Sequence, residues 1–207
     1  MSYVGLDIGT GSIKAVLLKS GEVKEYREPY PEYRSSGTDA GPGRQDPLVL
    51  QAALKALLMR ICSEEKAVMS GLKGVCVDGH GPSFVCIGPA GDPVSDIITW
   101  QDRSAVEEAD ELRNIVAGFE KDGTSYEAKL LRAVRENPGW SGPGHTVLYP
   151  KDYVVFLLTG ERIIDCSAAS TIYFYMPPSY TGTDGMELVP ESILPRGINP
   201  WEAAGKT

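Results

Sequence analysis

Gly5-Leu6-Asp7-Ile8-Gly9-Thr10-Gly11-Ser12-Ile13-Lys14 opens the chain and sets its architecture. Val4, Leu6 and Ile8 alternate with Tyr3, Gly5 and Asp7, which is the period of a strand. Gly9-Thr10-Gly11-Ser12 breaks that period with two glycines and predicts a turn. Ile13 to Leu18 is a second β-rich run, Ser20-Gly21 a second turn, and Val23 to Arg27 a third strand. Such short turns make antiparallel neighbours. A glycine-bearing turn between strands can aim successive backbone N–H groups at an anion. Glycines at 9 and 11 remove the Cβ atoms that would hold a phosphate away. Thr10 and Ser12 add hydroxyl donors, and Lys14 adds a positive charge. Asp7, at the strand end, could hold Mg²⁺ directly or through water. A plain hairpin turn is the competing explanation for G-T-G alone. The full D-x-G-T-x-S-x-K string inside a β-meander favours phosphate handling.

Outward from this turn, Pro29 to Gln45 is a polar, Pro/Gly-rich loop. Asp46 then caps a helix with Pro47 at its first position. Leu50, Ala53, Leu54, Leu57, Leu58 and Ile61 share one face of it. After Gly71, Leu72 to Val77 reads as an apolar strand, completing a β-β-β-α-β start. The helical crossover makes that strand parallel to an earlier one, so the sheet is mixed. Ser83 to Ile87 and Ile97 to Trp100 are short strand candidates around Ala90-Gly91-Asp92. Ala105, Ala109, Leu112, Val116 and Phe119 fit a helix face, as does Tyr126 to Arg135. Pro138 to Gly144 is a loop, and Lys151 to Leu158 is a helix ending at Gly160. Beyond Tyr175 the chain is rich in Pro, Gly and Tyr, with one short helix near Glu191 and no closing element in its tail.

Composition bounds the function. The chain has 207 residues, with 20 Lys+Arg against 28 Asp+Glu and a net charge of −8. Its 42% apolar and 23% charged residues are ordinary for a globular protein with a real core. The acidic balance argues against nucleic-acid and anionic-membrane partners. No apolar run approaches the roughly 20 residues of a spanning helix. MSYVGLDIG lacks the basic and apolar regions of a signal peptide. Cys62, Cys76, Cys86 and Cys166 form no CxxC pair and are expected as reduced, mostly buried thiols of a cytoplasmic protein.

GLDIGTGSIKAVLL resembles the first phosphate motif of the sugar-kinase, actin and heat-shock-protein ATPase superfamily. More closely it resembles the opening of FGGY-type carbohydrate kinases, xylulokinases above all. Ile98-Thr99-Trp100-Gln101-Asp102-Arg103 is similar to that family's W-x-D-x-R element. Tyr149-Pro150-Lys151-Asp152-Tyr153, Leu158-Thr159-Gly160-Glu161 and Asp165-Cys166-Ser167-Ala168-Ala169-Ser170 are similar to its PKDY…LTGE…D-x-S-x-A segment. The resemblance implies an α/β, ribonuclease H-like (actin-like ATPase superfamily) domain with additional helices. Residues 1–207 would form the N-terminal, sugar-binding domain of a kinase that uses ATP and Mg²⁺. An adenosine-binding C-terminal domain would lie outside this chain. Asp7 would organise the metal, and Thr10, Gly11, Ser12 and Lys14 would face the β/γ-phosphates.

Asp78-Gly79-His80-Gly81 follows a predicted strand, where open α/β sheets put their ligands. By resemblance, Gly79 and His80 contact sugar hydroxyls. Trp100 offers an apolar face to a sugar's C–H side, and Asp102 and Arg103 offer polar partners. Core packing for Trp100 and a helix N-cap for Asp102 are the structural alternatives. The family's arginine usually stands where this chain has Ser104, which leaves Arg103 without a secure role. Lys129 resembles a family lysine near the site but reads here as part of a solvated helix face. Asp165 and Ser167 read as caps of a short helix.

Phosphoryl transfer to a hydroxyl usually needs an aspartate that takes its proton. In the family that residue lies in a later Gly-x-x-Asp segment, expected beyond Thr207. Asp184 reads as a turn residue. The isolated chain is therefore expected to be inactive. A non-catalytic sugar- or polyol-binding module is the rival, and an actin-like or chaperone ATPase a weaker one. A homodimer remains open, as does the identity of the sugar.

Overall fold

The computed structural model describes residues 1–30, 43–66, 70–116, 118–175 and 188–206. The expected meander forms from β1 (Ser2–Ile8), β2 (Ser12–Lys19) and β3 (Glu22–Pro29). β1 pairs antiparallel with β2, and β2 with β3. Most of the polar loop proposed between Pro29 and Gln45 lies outside the described residues. Its end is β4 (Arg44–Gln45), which precedes α1 (Pro47–Glu64). Asp46 caps α1 by accepting from the Leu48 N–H at 2.8 Å. α1 buries Leu50, Ala53, Leu54, Leu57 and Ile61. β5 (Leu72–Gly79) then returns parallel to β1, giving the sheet order β3-β2-β1-β5.

β6 (Val85–Ile87) and β7 (Ile97–Ile98) are shorter than the runs read from sequence, and Trp100 falls in a turn. β7 pairs with β4, while β6 pairs with β8 (Thr146–Leu148). The β6–β8 ribbon is buried on both faces and separates two apolar cores. Val85, Ile87 and Leu148 join the core beneath the four-stranded sheet, with Ile8, Leu57 and Tyr153. Phe84, Cys86 and Val147 join a second core with Leu112, Leu130 and Trp140. Alternation of side chains along a strand makes this division. The second core is built on α2 (Val106–Ile115) and α3 (Tyr126–Glu136). α4 (Pro150–Thr159) packs under β1 and β5 and ends at Gly160, whose φ of 79° is the left-handed cap that glycine adopts freely. β9 (Ile163–Asp165) pairs with β10 (Arg196–Ile198), and α5 (Cys166–Ala169) lies between them in sequence. Asp165 caps α5, whereas Ser167 lies inside it.

On the other face of the sheet Tyr3, Val16, Leu18 and Val23 are exposed among the described residues. The cysteine expectation needs correction, because only Cys86 is buried. Cys62, Cys76 and Cys166 sit at exposed positions of α1, β5 and α5. Asp184 lies outside the described residues. Among the described residues, no helix is long and apolar enough to cross a membrane.

Candidate functional site

The β1–β2 turn is held from its carbonyl side. The Gly9 carbonyl accepts from the Tyr30 hydroxyl, the Thr10 carbonyl from the Gln45 side-chain amide, and the Gly11 carbonyl from the Tyr30 N–H at 3.1 Å. Burial, and then the charge of Asp7, raise the Tyr30 phenol so that it stays a donor. The Gly9 N–H closes the turn onto the Ser12 carbonyl at 3.1 Å. The Thr10 and Gly11 amides find no acceptor among the described residues, and a Cβ at Gly11 would meet nothing within 4 Å. The turn thus offers unsatisfied donors on an open side. Ser12 is buried, so Thr10 holds the more accessible hydroxyl.

Strand register assembles the charges beside it. Asp7 stands opposite Lys14 on β2 and opposite Asp78 on β5. The Lys14 ammonium lies 3.1 Å from the Asp7 carboxylate, both groups more than half exposed. Because β1 and β5 are parallel, the two aspartates are neighbours at the carboxyl ends of adjacent strands. Asp78 was missing from the sequence-derived set. Its place at the end of a strand was visible, but its pairing with Asp7 needed the register.

His80 continues the β1–β5 ladder, its N–H donating to the Ile8 carbonyl at 3.1 Å. The preceding residue has to be small: a Cβ at Gly79 would lie 3.0 Å from both Ile8 Cβ and the Ile8 carbonyl oxygen. His80 Nδ1 is 2.9 Å from Ser83 Oγ, which also accepts from the Trp100 N–H at 3.0 Å. Ser83 can donate its own proton to Nδ1, and in that tautomer the ring proton sits on Nε2. Burial lowers the imidazole to about 4; Asp7 opposes this and Lys129 assists it. The ring is neutral at pH 7. Its Nε2 is buried without a partner among the described residues.

The other sugar-site candidates separate. Trp100 is 44% exposed, so core packing does not account for it. Asp102 is 3% exposed; its carboxylate accepts from Arg44 Nε at 2.7 Å and from the Ser104 N–H at 2.8 Å. It does not cap α2, whose N-cap is Ala105 with no side-chain bond. The Asp102 side chain instead closes a turn two residues on and is held by Arg44. Arg103 is exposed and lines a cleft of about 170 Å³ with Arg113 and Asp122. A larger cleft, about 710 Å³, opens beside Gly81 and Pro82 and is lined also by Lys121, Asp122, Tyr126 and Tyr149. None of Gly79, His80, Trp100, Asp102 and Arg103 lines it. Of its lining residues, Gly81 and Tyr149 belong to motifs read from the sequence, in the Asp78-Gly79-His80-Gly81 loop and the PKDY segment, but neither is among the sequence-predicted site residues.

Lys129 is the clearest correction. It is not on a solvated face but 2% exposed, donating to the carbonyls of Pro82 and Thr99, both at 2.8 Å. Burial lowers it to about 8, against the pull of Asp102. α3 is enclosed on nearly every side, with Tyr126, Glu127, Leu130, Leu131 and Val134 also buried. An amphipathic pattern predicts one wet face, and here tertiary packing covered it.

The turn, strand order and crossover together match known proteins. Residues 2–176 match the model of the FGGY family of carbohydrate kinases, N-terminal domain. The chain belongs to this family. This FGGY domain is 24% identical to the xylulose kinase of Staphylococcus xylosus across its whole length, covering 44% of that protein. It is 27% identical to the xylulose kinase of Haemophilus influenzae over 81% of the chain and 37% of that protein. Its fold is that of a xyloylose kinase from Brucella ovis (TM-score 0.80, 23% identity, 99% of this chain, 45% of that one). It also matches the xylulose kinase from Rhodospirillum rubrum (TM-score 0.73, 27% identity, 96% and 43%). The FGGY domain thus spans less than half the length of these relatives. The actin-like, ribonuclease H-like architecture expected from the opening motif is the one these neighbours share.

Proposed function

We propose that this chain is the sugar-binding half of a kinase that transfers phosphate from ATP to a hydroxyl of a sugar or polyol, a pentulose by its relatives' names. The observation that carries this reading is the buried Nε2 of His80, unpartnered among the described residues, beside the strand end that holds Asp7. An unpaired buried donor or acceptor costs roughly 1–3 kcal/mol. A ligand hydroxyl placed there would recover that cost. Trp100 would lie against the ligand's C–H face, with Gly79 allowing close approach and Arg103 at the periphery. Asp102 would act through the turn it holds.

The residues fit the phosphates and the metal. Two open amides and a turn clear of side chains suit a phosphate, and adjacent carboxylates suit Mg²⁺, which takes one or two. When bound, Mg²⁺ neutralises charge on the transferring phosphoryl group. Thr10, Gly11 and Lys14 would bind the phosphates, with Ser12 shaping the turn, and Asp7 and Asp78 would hold the metal. The hydroxyl's proton would pass to an aspartate beyond residue 207, ahead of a C-terminal domain that closes over the sugar. The isolated chain would then bind without turnover.

Calorimetric titration with D-xylulose, D-ribulose and glycerol tests the binding, and a coupled ATP assay tests the inactivity. Binding to the wild type that His80→Ala weakens at least tenfold is the expected result. Turnover by the isolated chain that Asp7→Asn abolishes would overturn the half-enzyme reading. If the gene continues past Thr207 without a domain-sized extension, the non-catalytic module is favoured instead.

A further inference from the structure

His80 and Trp100 reach the site from segments that follow different strands, β5 and β7. Their backbones meet where Phe84 and Ile98 exchange N–H···O bonds of 3.0 and 2.8 Å. Beyond that bridge, side chains make the ties. Ser83 Oγ joins His80 Nδ1 to the Trp100 N–H, and Lys129 Nζ joins the Pro82 carbonyl to the Thr99 carbonyl. The Thr99 carbonyl also accepts from the Asp102 N–H at 3.1 Å, so the same atom sets the turn that presents Trp100. Lys129 therefore grips the residue before Ser83 and the residue before Trp100 at once.

We propose that Lys129 is a positioning residue of the sugar site, its ammonium clamping the His80 loop onto the Trp100 turn. The proposal rests on the sugar-site reading above for its functional consequence, though not for the clamp. Hydrogen bonds from a charged donor are about twice as strong as neutral ones. A neutral amine in the same place would hold the two carbonyls less firmly. The charged and titratable groups around this ammonium are Asp102, Asp122 and Glu127, which favour its charge, Arg44, which opposes it, and His80, which is neutral in this pH range. Burial lowers the group to about 8, so the clamp should loosen between neutral and mildly alkaline pH.

The test uses the full chain with Lys129→Met and Lys129→Arg. Amide exchange of Trp100 and Asp102, corrected for intrinsic base catalysis, is compared with that of Leu57 and Ile61 in α1. In Lys129→Met the two turn amides should lose about tenfold protection beyond any change in α1. In the wild type, raising the pH from 6.5 to 9 should produce the same local loss without any substitution, which decides the matter should the Met variant fail to fold. Calorimetric affinity for D-xylulose should fall several-fold over that range in the wild type. It should be weak and flat in Lys129→Met, and restored and flat in Lys129→Arg, whose guanidinium stays charged. Turn protection unchanged both in Lys129→Met and across the wild-type pH range would overturn the clamp, as would a pH dependence of affinity that persists in Lys129→Arg. No D-xylulose binding in the wild type at either pH would sink the sugar reading, while the exchange measurement would still decide whether the clamp exists.

Discussion

Asp102 gives the sharpest separation of structural from ligand roles. Its side chain is almost fully enclosed, and both oxygens are occupied, by Arg44 and by the Ser104 N–H. Replacing it with Ala removes one charge-assisted bond, worth about 1.5–3 kcal/mol, and one backbone bond, worth about 1 kcal/mol. It also leaves the Arg44 guanidinium, three-quarters buried, without its partner. That exposure lets water take up part of the loss, so a destabilisation of about 3 kcal/mol is expected. For a chain of this size that lowers Tm by roughly 6–12 °C. Asn keeps the shape and an acceptor for Ser104, so Asp102→Asn should cost only about 1–2 kcal/mol. Urea denaturation monitored by tryptophan fluorescence measures both, and D-xylulose titration below the transition measures binding. A tie in the scaffold predicts that affinity tracks the disturbance of the turn, lost more in Ala than in Asn. If instead Asp102→Asn left stability within 0.5 kcal/mol of wild type and abolished sugar binding, the carboxylate would be a ligand and this reasoning would be wrong.

Other consequences can be checked in parallel. Gly79→Ala pushes a Cβ into Ile8 and the Lys151 stem, and should cost about 1–3 kcal/mol in urea. His80 titrates near 4 when folded and near 6.5 when unfolded, so between those values the unfolded state binds the extra proton and stability falls as pH falls. The stability difference between wild type and His80→Gln should therefore shift by about 2–3 kcal/mol between pH 7 and 4.5 in the variant's favour. Asp152, raised to about 6 by burial, works in the opposite direction below pH 6 in both proteins and cancels from that difference. Lys14→Ala breaks only an exposed pair and should change stability by less than about 1 kcal/mol. Its affinity for inorganic pyrophosphate should nonetheless drop, and an unchanged affinity would remove Lys14 from the phosphate site.

Much of the local grammar was legible in the first eighty residues and at the end of α4, whereas β8, β9 and β10, the last in a tail expected to hold no closing element, were not. Alternation in Val4, Leu6 and Ile8, the cap Asp46-Pro47 and the glycine at 160 each act over a few residues. Backbone sterics and hydrogen bonding alone therefore fix what they do. The β-β-β-α-β order followed from them, because a helical crossover of that length forces a parallel return. What settled only in three dimensions involves partners distant in sequence. Arg44 meets Asp102 across 58 positions, and Lys129 meets Pro82 across 47. Asp78 joins Asp7 through one particular strand register. Periodicity shows that a side chain lies on a given face, but burial depends on what packs over that face. A second core closing over α3 is what turned Lys129 from a solvated cation into an internal clamp.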